Sequence, residues 1–253
     1  MNGANALAFP AGVIIASLAT TVGIGGGILW MPFFILVIKL SPETAVVTSL
    51  LVQTAGMGSG SLAFIRKRTA DLPLAAFLLL LTLPGLGLGA ILTRLLSSAN
   101  LELALGVLTL TTAFLFVSAN QKYSEEGQDR VPLKGLRRHG WIVSVLALAS
   151  GMLSVSVGEW MVPLMRSRIK LRMRVAVATS IVTVFGTCVA GSLFHLMLGA
   201  SADLSILIWA VPGVIVGGQI GPRFTERINE RSLKEVFIFL LTLIGIHLIY
   251  NSY

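Results

Sequence analysis

Charge is what this 253-residue chain has least of. Only 12% of its residues are Asp, Glu, Lys or Arg, against about 25% in an ordinary soluble domain. Hydrophobic residues make up 55% and the mean hydropathy is +0.88. A soluble globule of that composition could not cover its own surface. The same balance excludes disorder and a coiled coil, and a single cysteine, Cys188, excludes a disulfide scaffold. Several chemistries are missing as well. No zinc-ligand spacing, phosphate-binding loop or nucleophile elbow occurs. Gly85-Leu86-Gly87-Leu88-Gly89 follows Pro84 inside an apolar run, so it does not fit a nucleotide fingerprint. No enzyme activity, metal or cofactor is therefore expected. A pI near 10.3 would point to nucleic acid in a soluble protein. Here no nucleic-acid partner is expected, and the basic residues pose a different question: which side of a lipid bilayer they occupy.

What the chain does have is apolar segments of spanning length, roughly 20 residues each. They fall at 8–38, 44–65, 72–94, 101–119, 140–165, 175–198, 204–222 and 233–250. The only long polar stretch is 120–139, which holds Glu125, Glu126, Asp129, Arg130, Lys134, Arg137 and Arg138. It reads as a linker between a first membrane unit, 1–119, and a second, 140–253. No Lys or Arg precedes the first hydrophobic run, so that run is expected to belong to the mature fold rather than to a signal peptide.

The two units overlay. At a shift of 131 residues Gly27 falls on Gly158, Pro32 on Pro163, and Gly60-Ser61 on Gly191-Ser192. Ala45, Val46, Thr48 and Ser49 fall on Ala176, Val177, Thr179 and Ser180. At a shift of 128, Pro84-Gly85 falls on Pro212-Gly213 and Gly89 on Gly217. Glycine, proline and hydroxyl residues match here, which shared hydrophobicity alone does not produce. The chain reads as two copies of a four-segment unit.

Charge then sets their orientation. If all eight segments simply crossed, Arg66, Lys67 and Arg68 would share a side with the linker. Arg166, Arg168, Lys170, Arg172 and Arg174 would lie opposite, and the basic residues would divide almost evenly. If segments 1 and 5 each enter and return, the halves become inverted. All of the 19 basic residues except Lys39 and Arg94 then fall on one face. The positive-inside rule selects this second arrangement. The expected fold is thus an all-α polytopic membrane protein of two inverted-topology repeats, the first segment of each a broken re-entrant helical hairpin. Both termini are expected outside the cytoplasmic (inner) membrane and the linker inside.

The breaks are visible in the residues. Gly23-Ile24-Gly25-Gly26-Gly27 interrupts segment 1, at about 1 kcal/mol per glycine relative to alanine. About 13 residues flank it on either side, arms of roughly 20 Å that cannot cross a 30 Å core. Segment 5 is interrupted at Ser154-Val155-Ser156-Val157-Gly158. Non-helical backbone at membrane depth must be surrounded by protein or by a water-filled cavity, so the two breaks are expected to meet. Each second arm begins at a break, and a helix start offers backbone N–H groups and about half a positive charge. Glycine lets a ligand approach them. Gly25, Gly26 and Gly27 in one half, with Ser156, Val157 and Gly158 in the other, are therefore candidates for holding a small anion without a buried Arg or Lys.

Segments 2 and 6 add hydroxyls. Thr48-Ser49 and Thr179-Ser180 are equivalent pairs, Gln53 lies one turn beyond Ser49, and Thr183 lies one turn beyond Thr179. All six can donate to oxyanion oxygens; the alternative is that they pack helices or bond their own carbonyls. Glu159 is the one acid deep in an apolar segment, placed to cap its helix start or to carry protons. His195, Cys188, Trp30 and Trp160 read first as packing residues, and Trp141 and Trp209 as interfacial anchors.

The run Gly23-Ile-Gly-Gly-Gly-Ile-Leu-Trp-Met-Pro32, with Ala45-Val-Val-Thr-Ser49 after it, resembles the TauE/SafE family of sulfite and organosulfonate exporters. Ser156-Val-Gly-Glu-Trp-Met-Val-Pro163 and Ala176-Val-Ala-Thr-Ser180 look like that family's second copy of the pattern, with Ser156 and Glu159 where glycine and an aliphatic residue are common. The resemblance implies a secondary transporter that exports a small sulfur-containing anion. The residues alone leave open an anion channel or a permease for another small carboxylate or oxyanion. An intramembrane enzyme is disfavoured by the lack of paired aspartates or metal ligands. Homo-oligomerisation is left open.

Overall fold

A computed structural model describes residues 3–118, 127–130, 140–224 and 230–251. Most of the linker, with Glu125, Glu126, Lys134, Arg137 and Arg138, lies outside the described residues, as does Arg227. The described residues are helical apart from short connections. A short α1 (Gly3–Ala6) leads into α2 (Ala8–Val22), then α3 (Gly27–Pro32), which continues as a π-helical turn over Phe33–Val37. There follow α4 (Pro42–Arg66), α5 (Leu72–Leu95), α6 (Ser98–Ser118), α7 (Gly140–Leu153) and α8 (Gly158–Ile169). The chain ends with α9 (Met173–Met197), α10 (Leu204–Phe224) and α11 (Glu230–Asn251).

Local chemistry accounts for the ends. Pro42 sits in the first turn of α4, where its missing N–H is not needed, and Arg66 closes the last turn. Asp71 caps α5, its carboxylate accepting from the Leu74 N–H at 3.2 Å. Asp203 does the same for α10 through the Ser205 and Ile206 N–H groups at 2.9 and 3.2 Å. Gly23 ends α2 in the left-handed region at φ +84°, donating back to the Ala19 carbonyl.

Three described helices are long and apolar enough to cross a membrane: Leu72–Leu95, Met173–Met197 and Leu204–Arg223. Between the helices glycine permits close approach. A Cβ on Gly85 or Gly89 would strike the α7 backbone at Ser144 or Leu148, and one on Gly213 or Gly217 would strike α2 at Phe9 or Val13. Stripes of this kind are how helices pack tightly when lipid gives no hydrophobic gain for burying larger side chains.

Contacts fix the helix directions. Phe9 lies beside Gly213, Val13 beside Gly217 and Ser17 beside Gly221, so α2 runs parallel to α10. Ser144 reaches Leu81, and Met152 reaches Thr93, so α7 runs parallel to α5. By contrast, Leu50 meets Gly191, Gly58 meets Phe185 and Ser61 meets Ile181, so α4 and α9 are antiparallel. The pair α6 and α11 is antiparallel too, with Gly106 at Ile249 and Gly245 at Leu110. Asn5 and Thr48 both bond to the start of α10, at Ser205 and Asp203. The chain between them therefore leaves one end of the bundle and comes back to it. Arg66, Lys67, Arg68, Arg172, Arg174 and Arg223 gather at the end where α4 and α10 finish and α9 begins. There Lys67 Nζ donates to the Pro222 carbonyl at 2.8 Å, and Arg172 pairs with Asp129 at 3.2 Å. Lys39 and Arg94 lie at the other end, where the Arg94 guanidinium meets the Leu198 carbonyl.

Candidate functional site

The two breaks meet inside the bundle, and they do so as neighbouring non-helical segments running in opposite directions. Gly23 lies opposite Gly158, Gly25 opposite Ser156, and Gly27 opposite Ser154. A Cβ on Gly25 would fall 2.0 Å from Ser156 Cβ, and one on Gly27 would fall 1.8 Å from the Ser154 carbonyl oxygen. These glycines are therefore required by close approach, not only by backbone freedom. The breaks meet, as expected, and also overlap lengthwise. Each first arm follows its parallel partner nearly to that partner's far end, so the breaks slide past one another.

One oxygen joins the crossing. The Ser156 hydroxyl oxygen accepts from the Gly25 N–H and from the Gly158 N–H, both at 2.9 Å. Two backbone donors, one from each half, thus converge on a single point. Neither helix start that follows, Gly26 before α3 or Val157 before α8, carries a side-chain cap from its own residue.

The serines of the matched pairs reach across to the opposite break. Ser180 Oγ donates to the Gly23 carbonyl at 2.7 Å. Ser154 Oγ donates to Ser49 Oγ at 3.0 Å. Gln53 adds its amide, with Nε2 within 2.9–3.1 Å of Ser154 Oγ, Ser154 O and Ser49 Oγ. That is more acceptors than two N–H groups can serve at once. On its other side Gln53 Oε1 faces Cys188 Sγ at 4.0 Å. Ser154 occupies the left-handed region at φ +56°, where Gly23 stands in the first half. A non-glycine residue there costs about 1–2 kcal/mol, which the bonds to Ser49 and Gln53 offset.

The threonines do something different. Thr48 Oγ1 accepts from the Asp203 N–H and Thr179 Oγ1 from the Asp71 N–H, each at 3.0 Å. Each threonine thus holds the capped start of a helix in the other half, away from the crossing. Thr183 bonds back to the Thr179 carbonyl at 2.9 Å. Thr48, Ser49, Gln53, Ser156, Thr179, Ser180 and Thr183 are all buried.

Glu159 is 2% exposed, and neither carboxylate oxygen has a hydrogen-bond partner among the described residues. It lies beside the Ser156 backbone without reaching hydrogen-bond geometry. A carboxyl group buried this deeply without a partner is costly to keep for packing alone. His195 is buried with Nε2 2.7 Å from the Gly151 carbonyl, a satisfied core position. Trp30 is buried, stacked on Phe34 at 5.0 Å between ring centres. Trp141 is 67% exposed on the outside of the bundle. Among the described residues no group of His, Cys, Asp and Glu could hold a metal ion.

Three further participants lie outside the candidates for the site read from the sequence: Ser154, which the sequence marks only as the start of the second break, and Asp71 and Asp203. Following the repeat would have found Ser154, which falls on Gly23. The two aspartates each precede an apolar run at the start of a helix, a capping position readable from sequence.

Comparison with known proteins places the chain among membrane transporters. Residues 8–248 match the family model described as sulfite exporter TauE/SafE. A probable membrane transporter protein, YunE, of Bacillus subtilis (strain 168) is 26% identical over 95% of this chain and 96% of its own length. YjnA of the same organism, also named a probable membrane transporter protein, is 23% identical over 94% of this chain and 97% of its own. The probable membrane transporter protein MamO of Paramagnetospirillum magneticum is 32% identical over 41% of this chain and 17% of its own length. No solved structure matches.

Proposed function

The chain belongs to the TauE/SafE sulfite exporter family, and from that premise we propose that this membrane transporter carries a small sulfur-containing anion, sulfite or an organosulfonate, out of the cell. The observation that carries the reading is the antiparallel crossing of two helix breaks in the bundle core, with backbone N–H groups from both halves aimed at one oxygen position. Donors of this kind attract an oxyanion without a fixed positive charge. A lysine at the same place would be costly to bury and slow to release its cargo.

We read the chain as two inverted repeats of four segments, the first of each a re-entrant hairpin. Three features support this. Equivalent helices α4 and α9 run antiparallel, as do α6 and α11. The stretch from Asn5 to Thr48 starts and ends at one end of the bundle. Basic residues collect at the opposite end, which is assigned to the cytoplasm, with both termini outside. Transport then proceeds by alternating access, with substrate held between the breaks by Gly25, Gly26, Gly27, Ser156, Val157 and Gly158. Ser49, Ser180 and Gln53 complete the shell. Thr48 and Thr179 contribute by holding the starts of α10 and α5, and Thr183 by bonding within its own helix. Glu159 carries protons coupled to anion movement.

The test is sulfite flux into proteoliposomes. Replacing Ser49 and Ser180 by alanine, and Thr48 and Thr179 by valine, is expected to abolish saturable flux. Unchanged flux in the fourfold variant removes the assigned site.

A further inference from the structure

Thr48 and Thr179 occupy equivalent positions, and so do their partners' roles. Each accepts one backbone N–H, from Asp203 or Asp71, at 3.0 Å. Each of those aspartates caps its own helix start, so the segment that the threonine holds is locally rigid. In both cases the threonine and its partner come from different halves of the chain. Because α4 and α9 are antiparallel, and both threonines lie early in their helices, the two contacts sit at opposite ends of the bundle. Between them lie Ser49, Gln53 and Ser180, each 1% exposed or less.

Packing says what would move. The start of α10 is held by Thr48, and α2 travels with α10, its backbone against Gly213 and Gly217. The start of α5 is held by Thr179, and α7 travels with α5 against Gly85 and Gly89. Each first arm carries one of the two breaks. Thr48 therefore holds the leading end of the unit that bears the first break, whose far end stays on α4 through Ser59–Ile215, Gln219–Ser59 and Lys67–Pro222, and Thr179 holds the leading end of the unit that bears the second.

We propose that Thr48–Asp203 and Thr179–Asp71 are a matched pair of gates at opposite ends of the bundle, both closed here, and that the transport cycle opens them one at a time. The proposal rests on the transporter reading given above. It makes four residues positioning residues: they hold the walls of the substrate site without touching the substrate. With both gates closed the crossing is sealed from either side. Opening of one gate while the other holds is the condition for moving a solute without leaving a continuous pore.

The protein carries its own reporter. Cys188 is its only cysteine, is 3% exposed, and faces Gln53 Oε1 at the crossing. A membrane-impermeant methanethiosulfonate reagent, applied from either face of vesicles of known orientation, reads access to it. Thr48→Val is expected to speed modification of Cys188 by about fivefold, the loss of one net hydrogen bond, from the face where α10 begins and not from the other. Thr179→Val is expected to do the reverse. Thr48→Ser and Thr179→Ser keep the acceptor oxygen and are expected to label at the wild-type rate. Acceleration from both faces alike, no acceleration, reversed sidedness, or serine variants that behave like valine would each overturn the proposal. Counterflow of labelled sulfite in wild-type vesicles tests the underlying reading separately. Absent counterflow removes the transport assignment, whereas counterflow with unsided labelling removes the gates alone.

Discussion

Replacing Gly27 by alanine places a methyl group where the structure has none to spare. The new Cβ would lie 1.8 Å from the Ser154 carbonyl oxygen and 2.9 Å from Gln53 Nε2. An ordinary C···O approach is about 3.3 Å or more, so the two breaks would have to part by roughly 1.5 Å at this point. That displacement breaks the Gly25–Ser156 bond at 2.9 Å and the two Gln53–Ser154 bonds at 2.9 and 3.1 Å. Three buried hydrogen bonds at about 1 kcal/mol net each, with further cost for any donor left unpaired, give a loss of about 3–5 kcal/mol. Alanine returns about 1 kcal/mol through its better helix propensity. The net expectation is a destabilisation of about 2–4 kcal/mol, measured by thermal unfolding of the purified protein in a fixed lipid–detergent mixture. Gly87→Ala is the control, since the nearest neighbour of the added methyl group, the Phe194 ring, is 3.7 Å away; it is expected to be neutral or slightly stabilising. A Gly27→Ala protein as stable as the Gly87→Ala protein would refute the crossing as drawn.

Ser154→Gly and Ser154→Ala both lose the hydroxyl, but only alanine keeps a side chain at φ +56°. Alanine should therefore be the less stable by about 1 kcal/mol, read as a lower midpoint on the same unfolding scale; equal midpoints would remove the strain argument. Glu159→Gln is expected to abolish the pH dependence of flux while leaving anion binding intact, and an unaltered pH profile would remove Glu159 from proton coupling. In a Cys188→Ser background, a cysteine at position 3 should react with an impermeant reagent outside intact cells and one at position 127 should not. The opposite pattern would invert the assigned topology.

Much of the fold was legible because the membrane makes composition informative. The ends of α4 follow from Pro42 and Arg66, and the first break follows from its glycines. The second break, Ser154 to Gly158, is faint alone and becomes readable only through its alignment with the first. How far the breaks overlap was not legible. Periodicity tells where a helix stops; how far it slides along a neighbour is set by contacts such as Gly213 on Phe9 and Gly217 on Val13, which belong to the tertiary fold. The matched Thr-Ser pairs were visible as a repeated feature, yet their division of labour was not. Each serine reaches for a break and each threonine for a helix start, a difference of direction that one residue's step around a helix creates. Asp71 and Asp203 escaped notice because they are offset by 132 residues, one more than their threonines, so a single fixed shift does not align them. Ser154 escaped because serine in a break reads as polar filler until its left-handed backbone is seen.

The central claim is that the crossing of the two breaks binds a sulfur oxyanion and exposes it to one side at a time. Counterflow measures this most directly: proteoliposomes loaded with unlabelled sulfite, diluted into a trace of labelled sulfite, with no net gradient of coupling ions. The account predicts transient accumulation of label above equilibrium, saturating with internal sulfite and lost when Ser49 and Ser180 are both replaced by alanine. Passive equilibration with no overshoot, at a rate linear in concentration, would contradict it and identify a pore.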